Sequence, residues 1–393
     1  QGFFCQSAVT QACLMSLDSL NPQQLEAVLH TEGPLLLLAG AGSGKTNVVT
    51  HRVAHLVGSK CIDPERVLAV TFTNKAAKEM RGRIETVVGN EARNLWMGTF
   101  HAVFAKILRI EAEKLGYPSN FTIYDTDDAK SLMKDLLREE GLDDKLYKPD
   151  VVLNRISAAK NNLYSWQEYQ ANVSFVSDDI ASGRPKIGIL FEKYVKRCFK
   201  ASGMDFDDLL YNMHIVLSKF PEVLHKYQHK FKYILVDEFQ DTNRLQYEWL
   251  KLLAGGDNAM LAVGDDDQSI YAFRGARVGN MADFVREFGV KHQIKLEHNY
   301  RSCSNILDTA NTLISHNRQR LGKNLRTEAG EGELVRAMEA PSDYAEADWL
   351  MDEIKQLVRD GTPRQEMAIL YRSNAQSRVI ETGLFNNSIP YRV

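Results

Sequence analysis

Leu35-Leu36-Leu37-Leu38-Ala39-Gly40-Ala41-Gly42-Ser43-Gly44-Lys45-Thr46 is the stretch that decides how this chain folds. Four leucines read as a buried strand, a glycine-rich turn follows, and Val48, Val49, Val53 and Leu56 then recur at helical spacing. A strand, a tight turn and a helix N-terminus in that order point backbone N–H groups at an anion. Lys45 is long enough to reach β- and γ-phosphates, and the Thr46 hydroxyl is placed to ligate Mg²⁺. Ala39 stands where the pattern usually has glycine, which matters little where no close backbone approach is needed. A loop that merely contained glycines would lack the flanking strand and helix. The segment therefore predicts a bound nucleoside triphosphate, with Ala39 to Thr46 as its cradle.

Outward from this loop, Val67 to Thr73, Tyr233 to Glu238 and Ala259 to Asp265 are further near-continuous runs, the pattern of parallel strands buried on both faces. They predict an α/β fold, a P-loop NTPase core around a doubly wound parallel sheet. The interval from about 102 to 220 is instead rich in charge at helical spacing, as in Asp127 to Glu140, and reads as a helical insertion. A second sheet is expected to begin near Ile294-Lys295-Leu296 and to continue through Met367 to Tyr371.

Asp237-Glu238 ends one of the predicted strands. Acidic residues at the carboxyl edge of such a sheet can hold Mg²⁺ and orient an attacking water, Asp237 on the metal and Glu238 as base. An acidic pair in isolation is more often a helix cap; the upstream phosphate loop favours chemistry.

At 393 residues the chain is long enough for two or three domains, and its charged and apolar fractions are those of an ordinary globular protein. No apolar run approaches the roughly 20 residues of a membrane span, and the first residues lack a basic signal-peptide start. The five cysteines, Cys5, Cys13, Cys61, Cys198 and Cys303, form no Cys-x-x-Cys pair and read as reduced thiols of a cytoplasmic protein. A net charge of −3 gives no global basic footprint, so any nucleic-acid contact must come from local patches or aromatic stacking.

Two long runs carry a family resemblance: Val236-Asp237-Glu238-Phe239-Gln240-Asp241-Thr242-Asn243, and Gly264-Asp265-Asp266-Asp267-Gln268-Ser269-Ile270-Tyr271-Ala272-Phe273-Arg274-Gly275-Ala276. With Leu20 to Gln24, Thr71 to Met80, Gly98 to His101, Asp205 to Leu209 and Leu296 to Ser302 in the same order, the chain resembles the superfamily-1 DNA helicases of the UvrD/Rep/PcrA group from about residue 15 to its end. The resemblance implies a RecA-like ATP-binding domain at 15–97 and 218–293, a helical insertion subdomain at 98–217, and part of a second RecA-like domain at 294–393. Residues 1–14 read as an extension.

It further implies an ATP- and Mg²⁺-dependent helicase acting on single-stranded and duplex DNA, 3′ to 5′, in repair or replication. Gln24 would read the adenine edge and Tyr300 stack on the base. Lys45 and Arg301 would neutralise the γ-phosphate, and Gln268 would sense it. Phe72, Phe206 and Phe273 would stack DNA bases, with Tyr271 beside them and Asn74, Lys75, Thr99, His101 and Arg274 as backbone or positioning partners. From the residues alone, Phe72 and Phe206 read more readily as core, His101 as a capping or core histidine, and Lys75 as part of a solvated basic face. Two positions depart from the family. Asn47 replaces an arginine that stacks on the adenine, and Phe273 replaces a tryptophan and offers less stacking area. The family's later motifs, Thr-x-His-x-x-Lys-Gly-Leu-Glu and a final arginine-bearing segment, do not occur before Val393, so the chain reads as an N-terminal fragment. The alternative expectation is a module that binds ATP and DNA without unwinding.

Overall fold

The computed structural model describes residues 17–255, 257–272 and 275–393, which divide into two compact units, one running to Gly332 and one spanning Glu333–Val393. In the first unit the chain begins with α1 (Pro22–Leu29), β1 (Leu35–Ala39), α2 (Lys45–Ala54), β2 (Val67–Thr71), α3 (Asn74–Val88), β3 (Trp96–Thr99) and α4 (Phe100–Glu111). An excursion follows through β4 (Thr122–Ile123), α5 (Thr126–Glu139), α6 (Pro149–Asn161), α7 (Trp166–Ala171), α8 (Val173–Ala181), α9 (Ile187–Lys200) and β5 (Gly203–Met204). The chain returns by α10 (Phe206–Lys219), α11 (Pro221–Lys230), β6 (Tyr233–Val236), α12 (Arg244–Leu253), β7 (Ala259–Gly264), α13 (Asn280–Glu287), β8 (His292–Leu296) and α14 (Ser304–Ile314).

Six strands form one sheet in the order β3-β2-β6-β7-β1-β8, every pair parallel. Their apolar residues alternate between two cores, as the strand period of two requires. Leu36, Leu38, Leu68, Val70, Ile234 and Val236 face the side covered by α4, α10 and α12. Leu35, Leu37, Val67, Ala69, Leu235 and Leu261 face the side covered by α1, α2 and α3. Because all strands run the same way, their carboxyl ends share one edge, and the loops leaving that edge carry the quoted motifs.

Two expectations about boundaries need correction. The expected insertion at 98–217 cuts through β3 and takes in α4 and α10, whose Phe104, Ile107, Leu210 and Met213 belong to the sheet's own core. The separate core, built on Met133, Leu136, Ile156, Leu190, Phe191 and Tyr194, belongs to α5–α9, and the short parallel pair Thr122↔Gly203 and Ile123↔Met204 closes its neck. The expected second sheet does not start at Ile294. β8 pairs with β1 from Leu35↔His292 to Ala39↔Leu296 and adds an edge strand to the first sheet, with Ile294 and Leu296 buried and His292, Gln293 and Lys295 more exposed.

In the second unit α15 (Asp343–Arg359) and α16 (Asn374–Asn386) pack around Met351, Leu384 and Ile389. Met367 to Tyr371 is not a strand; Leu370 is 94% exposed, and the segment lines a cleft of about 890 Å³ with Ile354, Ile380 and Leu384. An apolar run becomes a strand only where a neighbour takes its backbone hydrogen bonds, and none of the described residues does so here.

Candidate functional site

The strand β1 feeds directly into the glycine loop. Gly42 (φ +70°) and Gly44 (φ +86°) adopt left-handed backbone that other residues enter at a cost. A Cβ on Gly42 would also stand 2.6 Å from Asn299 Nδ2 and 2.7 Å from Arg301 Cβ, and one on Gly44 would stand 2.6 Å from Gln24 Nε2. The loop's carbonyls are tied down from outside. Ser43 Oγ donates to Gly40 O (2.6 Å), Gln24 Nε2 to Ser43 O (2.9 Å), Asn299 Nδ2 to Ala41 O (2.6 Å) and the Tyr300 backbone N–H to Gly42 O (2.9 Å). Gly44 caps α2 without a side-chain hydrogen bond, so the first-turn N–H groups at Lys45 and Thr46 stay available to an anion.

Lys45 Nζ donates to both carboxylate oxygens of Glu238, each at 2.9 Å. Glu238 itself sits at φ +51°, a left-handed conformation that costs a non-glycine residue of order 1–3 kcal/mol and that clusters at functional sites. Behind it Asp237 is 6% exposed; burial, and then the neighbouring Glu238, push its carboxyl up to about 6 against the pull of Lys45. Asp241 is raised to about 6 for the same reasons, and its Oδ1 is buried without a hydrogen-bond partner. Only Glu238 is paired with the ammonium of Lys45, while Asp237 and Asp241 feel its charge without bonding it, so this end of the sheet is short of positive charge and Asp237 offers an oxygen donor suited to a hard divalent cation such as Mg²⁺.

From Glu238 a line of hydrogen bonds runs along the strand ends. Gln240 Nε2 donates to Glu238 Oε2 (2.8 Å), and Gln240 Oε1 accepts from the Asp265 backbone N–H (2.9 Å). Gln268 Nε2 then donates to Asp265 Oδ2 (2.6 Å). Gly264 makes room for this line, since a Cβ there would stand 2.6 Å from Gln240 Oε1. β1, β6 and β7 are thus connected through side chains as well as through the sheet.

The other expected nucleotide residues gather at the same end. Gln24 is 3% exposed and has both amide ends occupied, Nε2 on Ser43 and Oε1 on the Asn21 backbone N–H (3.1 Å). Tyr300 is 58% exposed, its hydroxyl held by Asn21 Nδ2 at 2.8 Å. Arg301 is exposed beside Gly42, and among the described residues its guanidinium has no ion-pair partner. Arg301 does not reach in from a separate domain. β8 and the loop after it belong to the unit that holds the phosphate loop.

The expected DNA residues leave the neighbouring strand ends. Phe72 follows β2, with its ring 5.4 Å from that of Tyr271. Asn74 and Lys75 open α3 and are exposed. Thr99 ends β3 and caps α4 by accepting from the Ala102 N–H (3.3 Å). His101 meets Phe206 edge-to-face at 5.8 Å, and burial lowers its pKa against the pull of Asp207. Phe206 begins α10 and is 46% exposed, an orientation unlike core. Phe273 and Arg274 lie outside the described residues.

Several residues that the sequence did not single out complete the arrangement. Asn299 and Gln240 lie inside quoted motifs but carry no sign of their partners. Arg320 and Lys323, paired with Asp265, Asp266 and Asp267, lie in none of the quoted motifs.

Models of two protein families match the chain, the UvrD/REP helicase N-terminal domain over residues 20–289 and the UvrD-like helicase C-terminal domain over residues 294–393. Among curated proteins, it is 44% identical over 374 residues to a Staphylococcus epidermidis protein named ATP-dependent DNA helicase PcrA, covering 95% of this chain and 50% of that one. The protein of the same name in Staphylococcus aureus is 43% identical over 375 residues, with the same coverage. The chain spans about half the length of the curated relatives it matches. Because the first model alone covers well over half of the chain, and its segment contains the phosphate loop and the acidic strand end described above, the chain belongs to the UvrD/Rep helicase family.

Proposed function

We propose that this chain carries the nucleotide-binding half of an ATP-dependent DNA helicase, in which ATP hydrolysis drives movement along single-stranded DNA and duplex unwinding, 3′ to 5′. The observation that carries this reading is the line Lys45–Glu238–Gln240–Asp265–Gln268 across three strand ends. It leads from the phosphate loop towards Tyr271, which packs on Phe72.

Lys45 neutralises Glu238 in this structure. An arriving γ-phosphate competes for the ammonium and frees Glu238 to take a proton from the attacking water. Lys45 and the exposed Arg301 would then hold the charge that develops on the transferred group. Thr46 and Asp237 are the residues that would hold Mg²⁺, whose contribution is to neutralise phosphate charge. Tyr300 offers an exposed ring to the adenine. Gln24 would have to trade its Ser43 bond for the base edge, and Asn47 supplies no stacking guanidinium. On the DNA side, Phe72 and Phe206 would stack bases, with Asn74, Lys75, Thr99 and His101 along the backbone and Phe273 and Arg274 continuing the track.

The test is the ATPase rate of the purified chain with and without single-stranded DNA, beside a chain extended through the family's later motifs, and strand displacement from tailed duplexes. The expected result is DNA-stimulated hydrolysis, strongest in the extended chain, with unwinding of 3′-tailed substrates. ATP hydrolysis that ignores DNA in both chains would leave only a module that holds ATP and DNA.

A further inference from the structure

The runs quoted above include neither Lys323 nor Arg320, yet these two cations converge on the loop that carries Gln268. Lys323 is 5% exposed. Its ammonium donates to Asp265 Oδ1 and to Asp267 Oδ2 (2.5 Å) and stands 3.9 Å from Asp266 Oδ1. Arg320 adds a two-pronged contact to Asp267, Nε at 2.9 Å and Nη2 at 2.6 Å, and braces the Lys323 carbonyl at 2.8 Å. The Leu321 backbone N–H closes the set on Asp266 Oδ2 at 2.7 Å. The three carboxylates are close enough together to hold a metal ion, but the ammonium of Lys323 already supplies the cation among them.

The same strap reaches the rest of the nucleotide site. Leu325 packs so closely on Gly40 that a Cβ there would collide with its side chain. The Asn299 N–H donates to Arg326 O (2.8 Å), and the Arg326 N–H donates to Glu297 O (2.9 Å). Residues 320–326 therefore touch the phosphate loop, the Glu297–Asn299 segment that leads into Tyr300 and Arg301, and the Gln268 loop at once. Asp265 is the shared point, because one of its oxygens takes Lys323 and the other takes Gln268.

We propose that Lys323 and Arg320 are positioning residues, a latch that fixes Asp265 to Asp267 and so aims Gln268 at the terminal phosphate of the bound nucleotide. The inference rests on the reading of Gln268 as the residue that senses this phosphate. A buried ammonium between two carboxylates is suited to the task. Its bonds are short and directional, and removing it leaves like charges facing each other, so the loop has one arrangement with the lysine and none as favourable without it.

The experiment measures equilibrium affinities of the chain for Mg-ATPγS and Mg-ADP, because the ratio isolates the terminal phosphate and needs no turnover. Lys323→Met, Arg320→Gln and Gln268→Ala are compared, with thermal melts as a check on folding. Gln268→Ala should lower the preference for ATPγS by about tenfold, the worth of one charge-assisted hydrogen bond. Lys323→Met should do the same, and Arg320→Gln less, while ADP affinity stays within about twofold. If Gln268→Ala loses the preference but both latch variants keep it, the latch is overturned. If Gln268→Ala keeps the preference, the reading of Gln268 fails and the latch fails with it. Equal weakening of both nucleotides in the latch variants shows a merely structural role and also overturns it. Should Lys323→Met not fold, Arg320→Gln decides the matter, since Arg320 lies at the rim of the cluster.

Discussion

Two buried lysines stand at opposite ends of the site, and their surroundings differ in an instructive way. Lys323 joins two loops at the nucleotide end, where three carboxylates face two cations. Lys160 lies near Phe206, one of the residues proposed to meet DNA, inside the junction of α6 with α10. It donates to Asp205 Oδ2 at 2.9 Å and pairs with Asp208 Oδ1 at 2.7 Å, and Tyr194 adds a hydroxyl to Asp205 at 2.9 Å. Asp205 and Asp208 are also partners in the capping box that starts α10 at Phe206. Lys160 thus anchors the beginning of a helix, a fixed object, whereas Lys323 anchors a loop whose glutamine is proposed to sense the nucleotide. The same chemistry makes a foundation in one place and a fastening in the other.

The comparison is broken most directly at Lys160. Lys160→Met strands two carboxylates in a dry junction and should cost about 3–5 kcal/mol of stability in denaturant titrations. Nucleotide affinity of the molecules that remain folded should be unchanged, and an altered affinity would show that the two ends are one structure. Glu238→Gln tests the other end: ATP should still bind, and turnover should fall about 10²–10⁴-fold in a single-turnover assay. Loss of binding instead would make Glu238 a structural partner of Lys45. Lys45→Ala should weaken ATP binding by about 100-fold, and wild-type turnover in that variant would remove the phosphate-loop assignment. Phe206→Ala should reduce single-stranded DNA affinity by roughly tenfold, one stacked base, without moving ATP affinity; no change would return Phe206 to a packing role.

The smallest effect is one of pH. Burial, and then the adjacent Asp205, push the Asp208 carboxyl up to about 7, although Lys160 draws it back. A carboxyl raised on folding favours the folded state while it is protonated. That contribution is complete below its unfolded value of about 4 and is lost as pH rises through about 7. Asp208→Asn, neutral throughout, should flatten the fall in stability between about pH 4 and pH 7, and an unchanged slope would place the titration elsewhere.

How much was legible beforehand varies with the range of the interaction. The phosphate loop, the acidic strand end and the all-parallel core could be read because each is a local pattern. β8 was misassigned because Ile294-Lys295-Leu296 says only that one face is apolar, not which strand it joins. The boundaries of the insertion slipped because α4 and α10 have the same helical periodicity as α5 to α9; only their packing partners differ.

What the sequence determined by itself is the order of strand, glycine turn and helix at residues 35–54, and the residue types carried by the loops at the strand ends. Backbone preference and the periods of helix and strand act over a few residues and leave their mark there. What only the tertiary structure decided is which charges meet: Lys45 with Glu238, Gln240 between Glu238 and Asp265, and Lys323 among three aspartates more than fifty residues before it. A long polar side chain carries no local sign of its partner. The pairing is set when the sheet brings distant strand ends side by side and burial makes an unpaired charge too costly to keep.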